Sequence, residues 1–199
     1  MRQSILHPKS SGSIFEKRKG YIGTMEEFKY DYFRYCGDTK ISYTRIVKDY
    51  RLLYLYAWRK IVSGSRLTLL MKLVLKRLKN YHIEIPYSVK IGKGFFMDHA
   101  FNITINSKAV LGENVSMFKG ATIGADKRGV PTIGNNVYIG INSTIVGKVT
   151  IGDDVLIAPN TYVNFDVPSH SVVLGSPGVI HAKEDATDSY MFNSIEKMN

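Results

Sequence analysis

Asp98 and His99 are neighbours whose types could support proton transfer, and His99 is the only histidine between residues 83 and 169. An imidazole titrates near neutral pH and can act as a general base. A carboxylate beside it can fix the tautomer and stabilise the imidazolium. Taken alone, the pair leaves two interpretations open: a catalytic base, or a histidine that only caps a coil.

The surrounding segment repeats with a period of six residues. Glycine often follows the repeated aliphatic residue, and a small or β-branched residue usually stands four places after it. This pattern is typical of a parallel β-helix, in which successive coils stack and the aliphatic residues form an inward ladder. We expect the ladder to contain Ile85, Ile91, Met97, Ile103, Leu111, Met117, Ile123, Ile133, Ile139, Ile145, Ile151, Ile157 and Val163.

Two steps of the ladder are longer than six residues. The step from Ile103 to Leu111 spans eight, and the step from Ile123 to Ile133 spans ten. The longer one contains the charged run 126–129, which we expect to leave the coil as a loop. Loops on a rigid scaffold commonly build binding surfaces.

Composition excludes several classes of protein. Cys36 is the only cysteine, so an intrachain disulfide is impossible and a cytoplasmic protein is expected. Residues 1–19 lack the apolar run of a signal peptide, and the longest apolar run, 52–58, is far below the roughly 20 residues of a membrane span.

The net charge of +10 is concentrated before the repeats. Residues 40–79 hold eleven Lys or Arg and one acid, Asp49. We interpret this block as a solvated helical face or as a surface for an acidic glycan or a membrane, with peripheral contact at the inner face of the membrane. Nucleic acid is not expected, because the aromatic residues in the block have helical spacing.

The sequence predicts four segments. A flexible arm covers 1–23, an α-helical region 24–82, the β-helix 83–182 and a C-terminal tail 183–199. Helices are expected from an N-cap at Thr24 to 36, from Ser42 or Thr44 to about Val62, and from Arg66 to Lys79.

Six runs occur in an order typical of one known family. They are Phe96-Met97-Asp98-His99-Ala100, Ala109-Val110-Leu111-Gly112, Gly120-Ala121-Thr122-Ile123-Gly124, Pro131-Thr132-Ile133-Gly134, and Asp166-Val167-Pro168 with Gly175-Ser176-Pro177. Over residues 83–182 the chain resembles the serine acetyltransferase branch of the hexapeptide-repeat acyltransferases. Its size is most like that of the bacterial capsular and exopolysaccharide O-acetyltransferases.

This resemblance implies a left-handed β-helix, a homotrimer and acetyl-CoA bound between subunits, with no metal. It implies His99 as the general base. Glu84 takes the position of the family's orienting aspartate, and Asp98 matches a neighbouring aspartate directed towards the acceptor. The other implied residues are Gly124, Ala125, Gly140, Ile141, Ala158 and Pro159 for the cofactor, and Asp98, Lys119 and Arg128 for the acceptor.

One departure bears on the acceptor. Serine acetyltransferases carry an Arg-His pair before the proline of their extended loop, where this chain has Gly129-Val130-Pro131. The leading hypothesis is therefore acetyl transfer to a sugar hydroxyl of a capsular polysaccharide or exopolysaccharide. Serine O-acetylation and N-acetylation of an amino-sugar nucleotide stay open as alternatives. A zinc-dependent carbonic anhydrase and a non-enzymatic scaffold are less favoured, the first because the repeats hold a single histidine.

Overall fold

A computed structural model describes residues 25–198. Helices come first and a parallel β-helix of about five coils follows, which confirms the predicted fold class. The predicted arm at 1–23 and the N-cap at Thr24 lie outside the described residues.

Within the described residues, four α-helices precede the coils: α1 (Met25–Cys36), α2 (Tyr43–Lys48), α3 (Tyr50–Val62) and α4 (Thr68–Arg77), followed by a 3₁₀ turn at Lys79–Tyr81. The sequence predicts one helix from Ser42 to Val62, and the structure divides it at Asp49. Asp49 is extended, with φ −104° and ψ 110°, and its carboxylate caps α3 by accepting from the backbone N–H of Arg51. The competition between side-chain capping and helix continuation explains the break.

The coils are built from short strands that form three sheets. The first sheet contains β1 (Ile83–Glu84), β4 (Ile103–Ile105), β7 (Thr122–Gly124), β10 (Thr144–Val146) and β13 (Tyr162–Val163). The second contains β2 (Lys90–Ile91), β5 (Val110–Leu111), β8 (Thr132–Ile133) and β11 (Thr150–Ile151). The third contains β3 (Phe96–Asp98), β6 (Ser116–Phe118), β9 (Val137–Ile139), β12 (Val155–Ile157), β14 (Ser171–Leu174) and the antiparallel β15 (Val179–Ala182).

The predicted ladder forms the buried core, with one correction of register. Ile105, not Ile103, pairs with Ile123 of the next coil. The eight-residue step therefore runs from Met97 to Ile105, across His99, and the step from Ile105 to Leu111 has the ordinary length. Both Ile103 and Ile105 are buried, so periodicity alone could not separate them.

The occurrence of glycine after the aliphatic residue of the repeat has a steric reason. A Cβ on Gly92 would lie 2.4 Å from the carbonyl oxygen of Gly112, and one on Gly112 would lie 2.5 Å from that of Gly134. Successive coils approach so closely here that only a bare Cα fits.

The helices cover the open edge of the first coil and satisfy its backbone groups. Tyr54 Oη donates to the carbonyl of Ile83 at 3.2 Å, and Trp58 Nε1 donates to that of Ile85 at 3.1 Å. Trp58 is 1% exposed. A strand edge buried without such partners would be costly.

A buried ion pair continues this cap. Arg59 Nε donates to Asp31 Oδ2 at 2.8 Å, and the Arg59 guanidinium also donates to the carbonyls of Ile91 and Gly92. Asp31 Oδ1 in turn accepts from the backbone N–H of Phe95. Arg59, one of the basic residues counted in the sequence, is thus structural, because it joins α1 and α3 to the first coil.

The C-terminal segment returns along the coils to the helices. Asp154 accepts from the backbone N–H groups of Ala186 and Thr187 at 2.9 and 3.0 Å. Further along the segment, the carbonyl of Phe192 accepts a hydrogen bond of 2.8 Å from Nε of the buried Arg34 of α1. Burial lowers the pKa of the Arg34 guanidinium to about 10, which leaves it charged at neutral pH. The tail therefore ties the last coils to the first helix.

We predict that Arg59→Ala lowers the free energy of unfolding by about 3–5 kcal/mol, because it leaves the buried Asp31 carboxylate without its cation. This is a large part of the roughly 5–15 kcal/mol typical of a domain. Urea titration followed by circular dichroism measures the change. The matched control, Arg77→Ala, removes an exposed arginine and should change the value by about 0.5 kcal/mol or less. Equal effects of the two variants would contradict the structural role of Arg59.

Candidate active site

His99 lies in a two-residue insertion at the corner between the third and first sheets. Asp98 pairs with Phe118 of the next coil, and the carbonyl of Phe101 accepts from Gly120, so His99 and Ala100 have no counterparts there. Ala100 is fully buried, and His99 adopts a positive φ of 45° with its side chain 74% exposed. The insertion therefore turns the imidazole outward. We call this edge of the coils the His99 corner.

Asp98 is the carboxylate nearest to the imidazole. Its Oδ2 lies 3.8 Å from His99 Nε2, and its Oδ1 accepts from the backbone N–H of His99 at 2.9 Å. The Asp98 side chain is 23% exposed, so it is much better shielded from water than His99. A carboxylate at this distance restrains the orientation of the imidazole ring.

Arg51, at the start of α3, holds the same carboxylate. Its Nη1 donates to Asp98 Oδ1 in a charge-assisted hydrogen bond, and its Nη2 and Nε donate to Asp49 at 2.8 and 3.0 Å. These hydrogen bonds with Asp49 raise the pKa of Arg51 despite its partial burial. Burial acts to raise the pKa of Asp49, but the hydrogen bonds and charge of Arg51 outweigh it and the pKa is lowered. Both groups stay charged across the neutral range.

Tyr35 of α1 fixes the strand that carries the pair. Its buried hydroxyl accepts from the backbone N–H of Met97 at 2.8 Å and donates to the carbonyl of the same residue at 2.9 Å. The Arg51 guanidinium lies 5.2 Å from the centroid of the Tyr35 ring. Two helices thus constrain the chain immediately before His99.

A cavity of about 310 Å³ opens beside His99. Its lining residues are Lys48, Asp49, Tyr50, Arg51 and His99. Arg51 is engaged by two carboxylates, whereas Lys48 is exposed and has no carboxylate partner within the described part of the chain. Lys48 is therefore the cation of this cavity that is available to a ligand.

The residues above His99 include most of the predicted cofactor and acceptor positions. In the first row, the strand register places Gly140 and Ala158 over Asp98 and Phe118. In the second row, backbone hydrogen bonds between coils place Lys119, Ile141 and Pro159 above Phe101. Lys119 Nζ lies 5.5 Å from the centroid of the Phe101 ring. A Cβ on Gly140 would lie 2.7 Å from the backbone nitrogen of Pro159, so coil stacking alone requires this glycine. The structure brings these predicted residues to one corner.

Glu84 lies in a different place. It is exposed on β1 of the first sheet, where it pairs with Thr104, and it makes no ion pair with His99. It lines a separate cavity of about 510 Å³ under α4, together with three lysines, Lys72, Lys76 and Lys79. In this chain Asp98, and not Glu84, contacts the imidazole.

Gly124, Ala125 and Arg128 lie at the corner between the first and second sheets, away from the His99 corner. The predicted loop is a tight turn in which Asp126 and Gly129 exchange backbone hydrogen bonds. Arg128 Nε donates to Asp126 Oδ2 at 2.7 Å, and this contact lowers the pKa of Asp126 and raises that of Arg128. The Arg128 side chain is thus held by its own loop.

Sequence reasoning missed four residues of the site: Tyr35, Lys48, Asp49 and Arg51. All four come from the helices, and Arg51 and Asp98 are 47 positions apart. The only sequence feature that could have indicated these residues was Asp49, the single acid in the basic block. Within residues 25–198 no cluster of three His, Cys, Asp or Glu side chains could hold a metal ion.

Comparison with known proteins agrees with this architecture. Residues 131–164 match the bacterial transferase hexapeptide (six repeats) family. Serine acetyltransferase 4 of Arabidopsis thaliana is 31% identical over 159 residues, which cover 76% of this chain and 45% of the relative. Serine acetyltransferase of Staphylococcus aureus (strain Mu50) is 39% identical over 107 residues, covering 52% and 50%. The chain spans about half the length of these relatives.

A solved structure resembles the chain more extensively. The crystal structure of Neisseria gonorrhoeae serine acetyltransferase in complex with serine aligns with a TM-score of 0.63 and 26% identity. The alignment covers 79% of this chain and 69% of that one. The similarity therefore includes part of the helical region as well as the coils.

Proposed function

We propose that this hexapeptide-repeat chain, which is similar to serine acetyltransferases, is an acetyl-CoA-dependent O-acetyltransferase. The observation that carries the proposal is the inserted His99, turned outward beside Asp98 at a corner of a rigid β-helix. The similarity to enzymes that acetylate a hydroxyl supports the same reaction class.

His99 acts as the general base. It takes the proton from the acceptor hydroxyl as the hydroxyl oxygen attacks the thioester carbonyl, and the C–S bond then breaks. The departing thiolate receives the proton from the imidazolium, so the products are an acetyl ester and free CoA. Proton transfer of this kind typically contributes about 10²–10⁴-fold to the rate.

Asp98 orients the base in this proposal. Its two oxygens make different contacts. Oδ1 accepts hydrogen bonds from Arg51 and from the backbone N–H of His99, while Oδ2 faces the imidazole. A carboxylate fixed in this way stabilises the imidazolium that forms during proton transfer. Glu84, which the family resemblance favoured, lines the cavity under α4 instead.

The cofactor groove requires two copies of the chain. Ile141 and Pro159 are exposed in the row above Phe101, next to the small residues Gly140 and Ala158, and small residues there allow pantetheine to approach. Gly124 and Ala125, two of the predicted cofactor-binding residues, lie at the other corner. In the proposed homotrimer, the second corner of one subunit faces the His99 corner of its neighbour. The placement of the predicted residues at two different corners of one chain supports this assembly.

Serine is the first acceptor to test, because the similar proteins are named serine acetyltransferases. The Arg-His pair of that family is absent, and Arg128 is occupied by Asp126. Lys48 supplies another cation in the cavity beside His99, where it can pair with the serine carboxylate.

A hydroxyl of a capsular or exopolysaccharide sugar is the second candidate. The tight turn at 126–129 is the observation that favours it, because a loop closed on itself leaves the cleft wider than an extended loop would. A sugar bearing a carboxylate would use Lys48 in the same way as serine.

We predict that His99→Ala lowers kcat roughly 10²–10⁴-fold, since the base is lost. Asp98→Asn should lower it by about tenfold or more, because a misoriented base loses part of that contribution. Glu84→Gln, the matched control, should stay near the wild-type value. Release of CoA from acetyl-CoA in the presence of acceptor measures all three variants.

The opposite ranking, with Glu84→Gln severely impaired and Asp98→Asn active, would contradict the assignment of Asp98. Retained activity in His99→Ala would contradict the base itself.

An acceptor screen tests the substrate. We expect wild-type protein to acetylate L-serine or a uronic acid at least about tenfold more efficiently than serinamide or the neutral sugar, because a charge-assisted hydrogen bond contributes about 1.5–3 kcal/mol. Lys48→Gln should remove this preference by raising KM for the anionic acceptor, with KM for acetyl-CoA unchanged.

Lys40→Gln removes an exposed lysine outside the His99 cavity and serves as the control. An unchanged preference in Lys48→Gln would show that the carboxylate is recognised elsewhere. Absence of acetyl transfer to every acceptor would contradict the proposed function as a whole.

A further inference from the structure

Helix α4 presents an apolar face to solvent. Leu69, Leu70 and Leu73 are 75%, 52% and 54% exposed. At 3.6 residues per turn, these three positions fall within an arc of about 100°. Single exposed leucines are common on protein surfaces, but three on one arc of a ten-residue helix form a patch that requires an explanation.

The opposite face of α4 already forms its contact with the rest of the protein. Met71 is 7% exposed and packs with Ala57 and Ile61 of α3, and Val74 and Leu75 lie partly buried against the same cluster. The exposed leucines are therefore not needed to hold α4 in place. They form a second apolar face.

Cations border this second face. Arg66, Lys72, Lys76 and Arg77 are all exposed, and none forms an ion pair with a carboxylate within residues 25–198. The sequence contains no Asp or Glu between residues 50 and 83. A partner for this surface must offer both an apolar interior and negative charge.

Charge decides between the possible occupants. A second copy of α4 would bring two cationic rims together, which is unfavourable. Residues 1–24 of the same chain carry five Lys or Arg and one Glu, so they do not complement the rim either. An anionic lipid bilayer meets both requirements, since leucine side chains enter the acyl boundary while Lys and Arg pair with headgroups.

We propose that α4 binds peripherally to anionic lipid bilayers through Leu69, Leu70 and Leu73, with Arg66, Lys72, Lys76 and Arg77 contacting the headgroups. The helix lies in the plane of the interface. None of the helices between residues 25 and 198 has the length and hydrophobicity of a membrane span. This inference does not depend on the acetyl-transfer reaction.

Co-sedimentation of the full-length protein with lipid vesicles tests the proposal. One vesicle contains phosphatidylcholine alone, and the other also contains about 30 mol% phosphatidylglycerol. We expect binding to the anionic vesicle to be about tenfold tighter or more, and to weaken with added salt.

Two paired variants separate the contributions. Leu69→Ser with Leu73→Ser should weaken vesicle binding about tenfold or more, and Lys72→Gln with Lys76→Gln should weaken it on anionic vesicles only. The control is Val47→Ser, which removes an apolar side chain that is 69% exposed on α2. All of these side chains are exposed, so thermal unfolding should change little and a loss of binding reports on the surface.

Three results would overturn the proposal. The first is no binding of wild-type protein to anionic vesicles. The second is equal binding by the leucine variant, which would leave a purely electrostatic contact. The third is a larger assembly of wild-type protein without lipid, seen by sedimentation velocity and lost in the leucine variant, which would assign the face to a second copy.

Discussion

The open edge of the first coil is the constraint on which the rest of the structure depends. A parallel β-helix leaves unpaired N–H and C=O groups at each end, and burying them without partners is costly. Here side chains from α1 and α3 fill those positions: Asp31, Tyr35, Tyr54, Trp58 and Arg59 bond to the backbone between Ile83 and Met97. The α-helices therefore form a cap that the first coil of the β-helix needs for its stability.

This cap also determines the position of the candidate site. Tyr35 bonds to Met97 and Arg51 bonds to Asp98, so two side chains of the helical region act on consecutive residues of one strand. Asp49 fixes Arg51 in turn. The insertion then directs His99 outward. A base mounted on a strand with this support keeps its orientation better than one on a long loop.

Much of the fold could be predicted from the sequence, because hexapeptide periodicity reports directly on the inward ladder. The register at Ile103 was wrong, since two buried isoleucines two positions apart satisfy the same pattern. The break at Asp49 was missed because helix continuation and capping compete locally. The contact between Arg51 and Asp98 could not be predicted from the sequence, because it joins residues far apart in the chain and no spacing rule connects them.

The positioning of the catalytic pair by the helical cap is tested most directly by kcat for Arg51→Met, measured with the acceptor that the wild-type protein acetylates. We expect a fall of about tenfold or more, since small displacements of reacting groups can cost up to about 10²-fold. KM for acetyl-CoA should be unchanged, and Arg51→Lys should recover part of the loss. Wild-type kcat in a folded Arg51→Met protein would contradict the claim that the helical cap positions the catalytic pair.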